Sequence, residues 1–279
     1  MKAVVNKIIP FSAVDGPGNR SVVFLQGCNL DCKYCHNPET RGMCIHCGNC
    51  VKTCPTGALS MEDNLVHFNI SKCINCDTCI RVCPYDSTPK TQVMTPHEVF
   101  QIIGKQMPFI SGVTVSGGEC TLYPEFIKEL FVLCHEAGLS TLIDSNGTFD
   151  FSSNPELLEV TDGVMLDIKA FHEIDHKLVT GYSNKQIIEN AIFLAKCKKL
   201  YEVRTVVVPD LFDGEETIKK TGNLLKPYLK LRDIRYKIIA YRPMGVRNEY
   251  SHYKVPEQEY LQSLALLLEK EGFSNIIII

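Results

Sequence analysis

No stretch of this 279-residue sequence approaches the roughly 20 consecutive apolar residues that a bilayer span needs, so no membrane partner is expected. Charge of one sign is equally lacking: 29 basic against 32 acidic residues leave a net charge of −3. Bulk electrostatics therefore gives no reason to expect nucleic acid or an anionic surface as partner. Met1 to Val14 has no basic-then-apolar leader pattern, which places the protein in the cytoplasm. A composition that is 45% hydrophobic and 22% charged excludes a mostly disordered or collagen-like chain. The length suits one large domain and a small module.

What the sequence does have is cysteine, at 14 positions. A reducing compartment and a chain of this length give little reason for disulfides, so metal ligation is the better reading. Eight of the cysteines lie in two copies of one run. Cys44-Ile-His-Cys47-Gly-Asn-Cys50-Val-Lys-Thr-Cys54-Pro55 recurs as Cys73-Ile-Asn-Cys76-Asp-Thr-Cys79-Ile-Arg-Val-Cys83-Pro84. Each copy has the spacing of bacterial two-cluster ferredoxins, in which three close thiolates hold one [4Fe–4S] cube and the fourth ligates the other. That resemblance implies Cys44, Cys47, Cys50 and Cys83 on one cluster, and Cys73, Cys76, Cys79 and Cys54 on the second. A pair of zinc sites also uses C-x₂-C, but it needs neither the third cysteine of each copy nor the Cys-Pro that follows.

A further group, Cys28-x₃-Cys32-x₂-Cys35, offers only three thiolates. A cubane held by three cysteines has one iron without a protein ligand, free to bind and activate something else, as open catalytic metal sites do. His36 would close that site if it served as a fourth ligand, and Cys120 is a weaker contender. Cys120, Cys134 and Cys197 otherwise read as buried, apolar-like side chains.

Elsewhere β-rich apolar runs alternate with amphipathic stretches, the pattern of βα units around a parallel sheet. Strands are expected at Ser21–Gln26, Val113–Ser116, Thr141–Asp144, Gly163–Ile168, Glu202–Val208 and Arg235–Tyr241, with Asn275–Ile279 as a further buried strand. Helical patterns cover Pro96–Lys105, Pro124–Ala137, Asn184–Lys198, Glu216–Leu229 and Pro256–Glu271. The cysteine-rich segment, 37–89, reads as an insertion between the first strand and the first helix of a domain formed by 1–36 and 90–279. Polar groups sit at strand ends in Ser116-Gly117-Gly118-Glu119, Asp144-Ser145-Asn146-Gly147 and Met165-Leu166-Asp167-Ile168-Lys169. In α/β folds ligands gather at the carboxyl ends of strands, so these segments should meet at one site.

The Cys28, Cys32, Cys35 loop resembles the cluster loop of radical S-adenosylmethionine (SAM) enzymes. Val14-Asp15-Gly16-Pro17-Gly18, Cys-His-Asn-Pro-Glu-Thr through Thr40, and the three strand-end segments above are similar to those of glycyl-radical-enzyme activases. The likeness is to the pyruvate formate-lyase activase type and is closest to the YjjW type, which carries a two-cluster ferredoxin insert. It implies an α/β fold, a partial (β/α)6 TIM-like barrel with an inserted ferredoxin-like domain binding two [4Fe–4S] clusters. It also implies three clusters in all and SAM chelated to the open iron. Reductive cleavage of SAM would give a 5′-deoxyadenosyl radical that takes hydrogen from a backbone glycine of a partner glycyl radical enzyme.

By the same resemblance, Gly117, Gly118 and Glu119 would line the methionine portion of SAM, and Lys169 would pair with its carboxylate. Asp144, Ser145, Met165 and Asp167 would surround a monovalent cation. Asp15 would seat the target peptide, Arg204 would be an active-site arginine, and Arg242 would stand near the nucleoside where relatives often have histidine. Flavodoxin or ferredoxin is the implied electron donor, and a monomer is expected. Two other readings compete: a multi-cluster electron-transfer protein, which has no need of a cluster loop short of one thiolate, and a radical SAM enzyme acting on a small molecule, which has no need of a peptide-seating motif.

Overall fold

The valine- and isoleucine-rich runs become strands buried on both faces, as a helix-covered parallel sheet requires. The computed structural model describes residues 1–279. It begins with β1 (Ala3–Ser12) and β2 (Arg20–Leu25), followed by a small unit of α1 (Asn49–Thr53), β3 (Leu59–Glu62), β4 (Leu65–Phe68) and α2 (Thr78–Arg81). After β5 (Gln92–Met94), strands and helices alternate: α3 (Pro96–Gly104), β6 (Gly112–Gly117), α4 (Pro124–Glu136), β7 (Ser140–Ser145), α5 (Pro155–Glu159) and β8 (Gly163–Asp167). Then come α6 (Glu173–Thr180), α7 (Lys185–Lys196), β9 (Leu200–Val207), α8 (Gly214–Leu225), β10 (Arg235–Ala240), α9 (Gln258–Lys270) and β11 (Ile276–Ile278).

The main sheet has the order β11-β10-β9-β8-β7-β6-β2-β1-β5. Strands from β2 through β11 pair in parallel, while β1 runs antiparallel to both of its neighbours. All six expected strands and the seventh at the C-terminus are present, although β11 is a half-buried edge strand and not a buried one. The sheet is open yet strongly curled. Lys237 on β10 reaches the carbonyl oxygen of Val14, in the β1–β2 connection, at 3.2 Å, although those strands stand far apart in the sheet order.

A core of 39 buried apolar residues fills the space between this sheet and its helices, and it takes none of its members from 26–98. The cysteine-rich segment builds its own small core from Cys50, Leu59, Val66 and Cys79 around the β3–β4 hairpin. The repeat seen in the sequence is a repeat of backbone. His46 and Asn75 occupy matching positions of the two copies, with φ of 57° and 55°, and Gly48 and Asp77 match at 78° and 56°. Left-handed backbone at non-glycine residues is uncommon, so its recurrence in register marks one local geometry used twice.

Candidate functional site

The carboxyl ends of β6, β7, β8 and β9 open into a cleft enclosing about 1170 Å³ of empty space, and the Cys28–Cys35 loop forms one wall. Cys28, Cys32 and Cys35 all line it. Burial pushes the Cys28 thiol up to about 11 and the Cys32 thiol up to about 12, and raises Cys35 as well. The loop is held from two sides. The Asp31 and Lys33 amides donate to the carbonyls of Thr180 and Val179 at the end of α6, and Asn146 at the end of β7 donates to Asn29 at 3.0 Å.

Gly117 and Gly118 line the cleft, but the close approach they permit is to the chain itself. Gly117 has φ of +133°, and a Cβ there would stand 2.1 Å from the Leu25 carbonyl oxygen; at Gly118 it would stand 2.3 Å from that of Gly27. Hydrogen bonds from the Gly118 and Glu119 amides to those same two carbonyls lock the end of β6 onto the start of the cysteine loop. The Glu119 side chain takes no part in the cleft wall. It is 1% exposed and turns away from the cleft, accepting hydrogen bonds from the Thr121 amide and hydroxyl, the Ser145 hydroxyl and the Asn146 amide. Burial raises its pKa against the pull of those donors. Its work is to fix the β7 end relative to the β6 end.

Lys169 and Asp167 pair at 2.8 Å on the cleft wall. Burial would lower the Lys169 pKa, but Asp167, Cys32 and Tyr34 outweigh it and hold the ammonium well above its ordinary range. Asp144, raised by burial, meets Arg204 at 2.8 Å and accepts from Ser116 at 2.9 Å. Met165 lies fully buried behind the wall, its Sδ 3.0 Å from an Arg204 nitrogen. The expected cation set of Asp144, Ser145, Met165 and Asp167 is therefore not a shared cage in this structure. Each member has another partner, because the Arg204 guanidinium stands between two of them and Glu119 and Lys169 take the rest.

Arg242 is exposed and outside the cleft wall; only its carbonyl oxygen is engaged, 3.0 Å from the His36 ring, which does line the cleft. Asp15 also lines it, with Ser12 donating to its carboxylate at 2.5 Å and Thr114 to its carbonyl at 2.6 Å. Cys120 and Cys134 are buried as expected, the former donating to the carbonyls of Val115 and Asp144, whereas Cys197 is exposed.

Three residues that pattern reading missed lie beneath the site. Glu202, fully buried, carries ion pairs to Arg204, Arg235 and, at 3.3 Å, Lys237. Alternation along β9 and β10 was the available signal: Glu202, Arg204, Arg235 and Lys237 lie two apart and so share one face.

In the small unit, Cys44, Cys47, Cys50 and Cys83 line one cavity enclosing about 340 Å³. Cys54, Cys73, Cys76 and Cys79 line a second enclosing about 320 Å³; Cys79 also borders the first. No group of three or more His, Cys, Asp or Glu side chains closes on a single-ion geometry. A zinc ion would draw its sulfurs to about 2.3 Å from one point, whereas a cubane spreads its ligands over separate irons. Four thiols around each cavity are a donor set that a cubane could take.

Residues 22–221 match the radical SAM superfamily model. A pyruvate formate-lyase-activating enzyme of Streptococcus mutans is 33% identical, covering 87% of this chain and 78% of that protein. A putative glycyl-radical enzyme activating enzyme of Haemophilus influenzae is 30% identical over 99% of this chain and 96% of its own. Among solved structures, QueE from Escherichia coli has the same fold, with a TM-score of 0.55 at 13% identity over 100% of this chain and 94% of that one. A three-cysteine loop at the mouth of a curled parallel sheet, with these relatives over nearly its whole length, makes the chain a member of the radical SAM superfamily and of its glycyl-radical-enzyme activating enzymes.

Proposed function

We propose that this chain activates a glycyl radical enzyme by generating a radical in the cleft and passing it to a backbone glycine of that partner. The observation that carries the reading is the meeting of Cys28, Cys32 and Cys35 with Gly117, Asp144, Lys169 and Asp15 around one open cleft. Cys28, Cys32 and Cys35 would hold a [4Fe–4S] cluster that, once reduced by an external donor, would supply the one electron needed to cleave the sulfonium C–S bond of SAM to methionine and the 5′-deoxyadenosyl radical. Lys169, kept protonated by Asp167, is a cation available to a carboxylate at the cleft wall, beside the cysteine loop. Arg204 and Asp144 neutralise each other below it, so that wall presents hydrogen-bonding groups without a loose charge. Asp15 on the cleft lining, held by Ser12 and Thr114, would seat the target peptide. With the partner docked over the open cleft, the apolar neighbours Leu30, Tyr34 and Val206 would help keep bulk water from the reacting atoms.

The two cavities of the inserted segment suit two further [4Fe–4S] clusters, on Cys44, Cys47, Cys50 and Cys83 and on Cys54, Cys73, Cys76 and Cys79. They would relay electrons from a flavodoxin or ferredoxin to the catalytic loop of a monomeric cytoplasmic enzyme. No helix is long and apolar enough to cross a membrane. Anaerobically reconstituted protein, given reductant and SAM, should release 5′-deoxyadenosine and methionine. With its partner present it should also give a glycine-centred doublet in electron paramagnetic resonance. Cys32→Ala should abolish both signals, and unchanged cleavage in that variant would overturn the assignment.

A further inference from the structure

Four charged side chains outside the cleft form a closed ring between the cysteine loop and the neck of the inserted segment. Asp31 of the loop accepts from Arg41 Nη1 at 2.7 Å and from Arg247 Nη2 at 2.6 Å. Asp86, at the far end of the insert, pairs with Arg41 and stands 3.6 Å from Arg247 Nη1. Each arginine thus bridges both carboxylates, the forked geometry that guanidinium holds and ammonium does not. Arg247 also donates to the Cys32 carbonyl at 3.2 Å, and its guanidinium lies 4.9 Å from the centre of the Tyr250 ring.

Backbone bonds reinforce the ring where the insert leaves and returns. Cys28 donates to the Arg41 carbonyl at 3.0 Å, and Gly42 donates to that of Asp86 at 2.7 Å. The two strands of the neck touch so closely that a Cβ on Gly42 would stand 2.0 Å from the Tyr85 carbonyl oxygen. The four residues come from four separate places in the chain: the catalytic loop, the two ends of the insert, and the segment after β10. Arg41, Asp86 and Arg247 are absent from the cleft wall, although Asp31, Arg41 and Arg247 border a smaller hollow on the other side of the cysteine loop.

We propose that Arg41, Asp31, Asp86 and Arg247 are a clasp of positioning residues that fixes the inserted segment at one distance and orientation from the Cys28–Cys35 loop. The inference rests on the relay reading only for its purpose: electron transfer across a gap demands a constant gap, and a unit with its own core, joined by a narrow neck, would otherwise swing. The clasp itself is a claim about where the chain is held.

The test uses reconstituted protein carrying Arg247→Met together with Asp86→Asn, substitutions that keep side-chain size and remove the charges. Hydrogen exchange at the neck amides, Arg41–Gly42 and Tyr85–Ser87, should become roughly fivefold faster than in the parent. Raising salt should move the parent toward the variant. Iron content should be unchanged, while the magnetic broadening between reduced clusters should narrow or become heterogeneous. Equal neck exchange and equal broadening at equal iron content would overturn the clasp. If the parent itself binds only about four iron atoms per chain, one cubane's worth, the relay reading falls instead, and the exchange comparison still decides the clasp.

Discussion

At the scale of single residues, the environment of each thiol separates cysteines that the sequence writes alike. Cys76 is held below the ordinary thiol value by hydrogen bonding with Thr78, while burial lifts Cys32 to about 12. Thiolate is the reactive form, so in iron-free protein at pH 8 iodoacetamide should label Cys76 well before Cys32, as read by peptide mass spectrometry. Equal labelling would contradict the buried placement of the cysteine loop. Lys169 allows a second test. It is buried beside Asp167, and Lys169→Met should weaken SAM binding roughly 10- to 100-fold, the worth of a charge-assisted hydrogen bond. Calorimetry on cluster-loaded protein should show this without loss of iron; unchanged affinity would remove Lys169 from the site. Ligands in short spaced motifs, such as Cys28, Cys32 and Cys35, were legible because spacing along the chain sets their neighbours. Glu119 was not, because its orientation depends on donors from Ser145 and Asn146, which only the folded sheet brings to it. The surroundings of Arg242 are likewise set from far away in the chain, by His36.

At the scale of elements, β9 and β10 carry a buried charge network into the floor of the curled sheet. Burial lowers the Lys237 pKa, aided by the nearby Arg204 and opposed by Glu202, and its ammonium donates to Val14 beside the Asp15 loop. Glu202→Gln leaves Arg204, Arg235 and Lys237 without their shared counter-charge. Removing one partner of a buried ion network costs about 3–5 kcal/mol, so anaerobic thermal unfolding should move to clearly lower temperature; an unchanged midpoint would mean the network is solvated. Lys237→Met keeps the apolar stem and gives up both the bond to the Val14 carbonyl and the ion pair with Glu202, which keeps Arg204 and Arg235 as partners. It should raise the KM for a glycine-containing peptide roughly threefold or more while leaving peptide-independent SAM cleavage as it was. Equal KM would show that the loop needs no strut. The parallel strands were legible as apolar runs, since burial on both faces leaves a continuous hydrophobic signature. The antiparallel strands β1 and β5 were not: β1 reads AVVNKIIPFS, with neither strict alternation nor one continuous apolar run, and β5 has three residues, too little pattern to stand out.

At the scale of the whole molecule, a curled sheet carries a cysteine-rich segment with a small core of its own. The main core draws nothing from 26–98, the inserted unit has its own small core, and the chain leaves and re-enters where Gly42 and Asp86 are hydrogen-bonded at 2.7 Å. Closing a loop across ends that already touch costs little chain entropy. Replacing 44–83 by a Gly-Ser-Gly turn should therefore leave a folded protein, with Arg41, Asp86 and their neck bonds intact. Its iron content should fall from about twelve atoms to about four, one cubane in place of three. It should still release 5′-deoxyadenosine from SAM when a strong chemical reductant is supplied, but slow sharply when electrons must come from a reduced protein donor. Circular dichroism, iron analysis and product chromatography on one preparation would check all three expectations. A truncated chain that aggregates, or that loses the catalytic cluster along with the other two, would mean that the appendage helps to build the catalytic loop, and the division between sheet and insert would have to be redrawn.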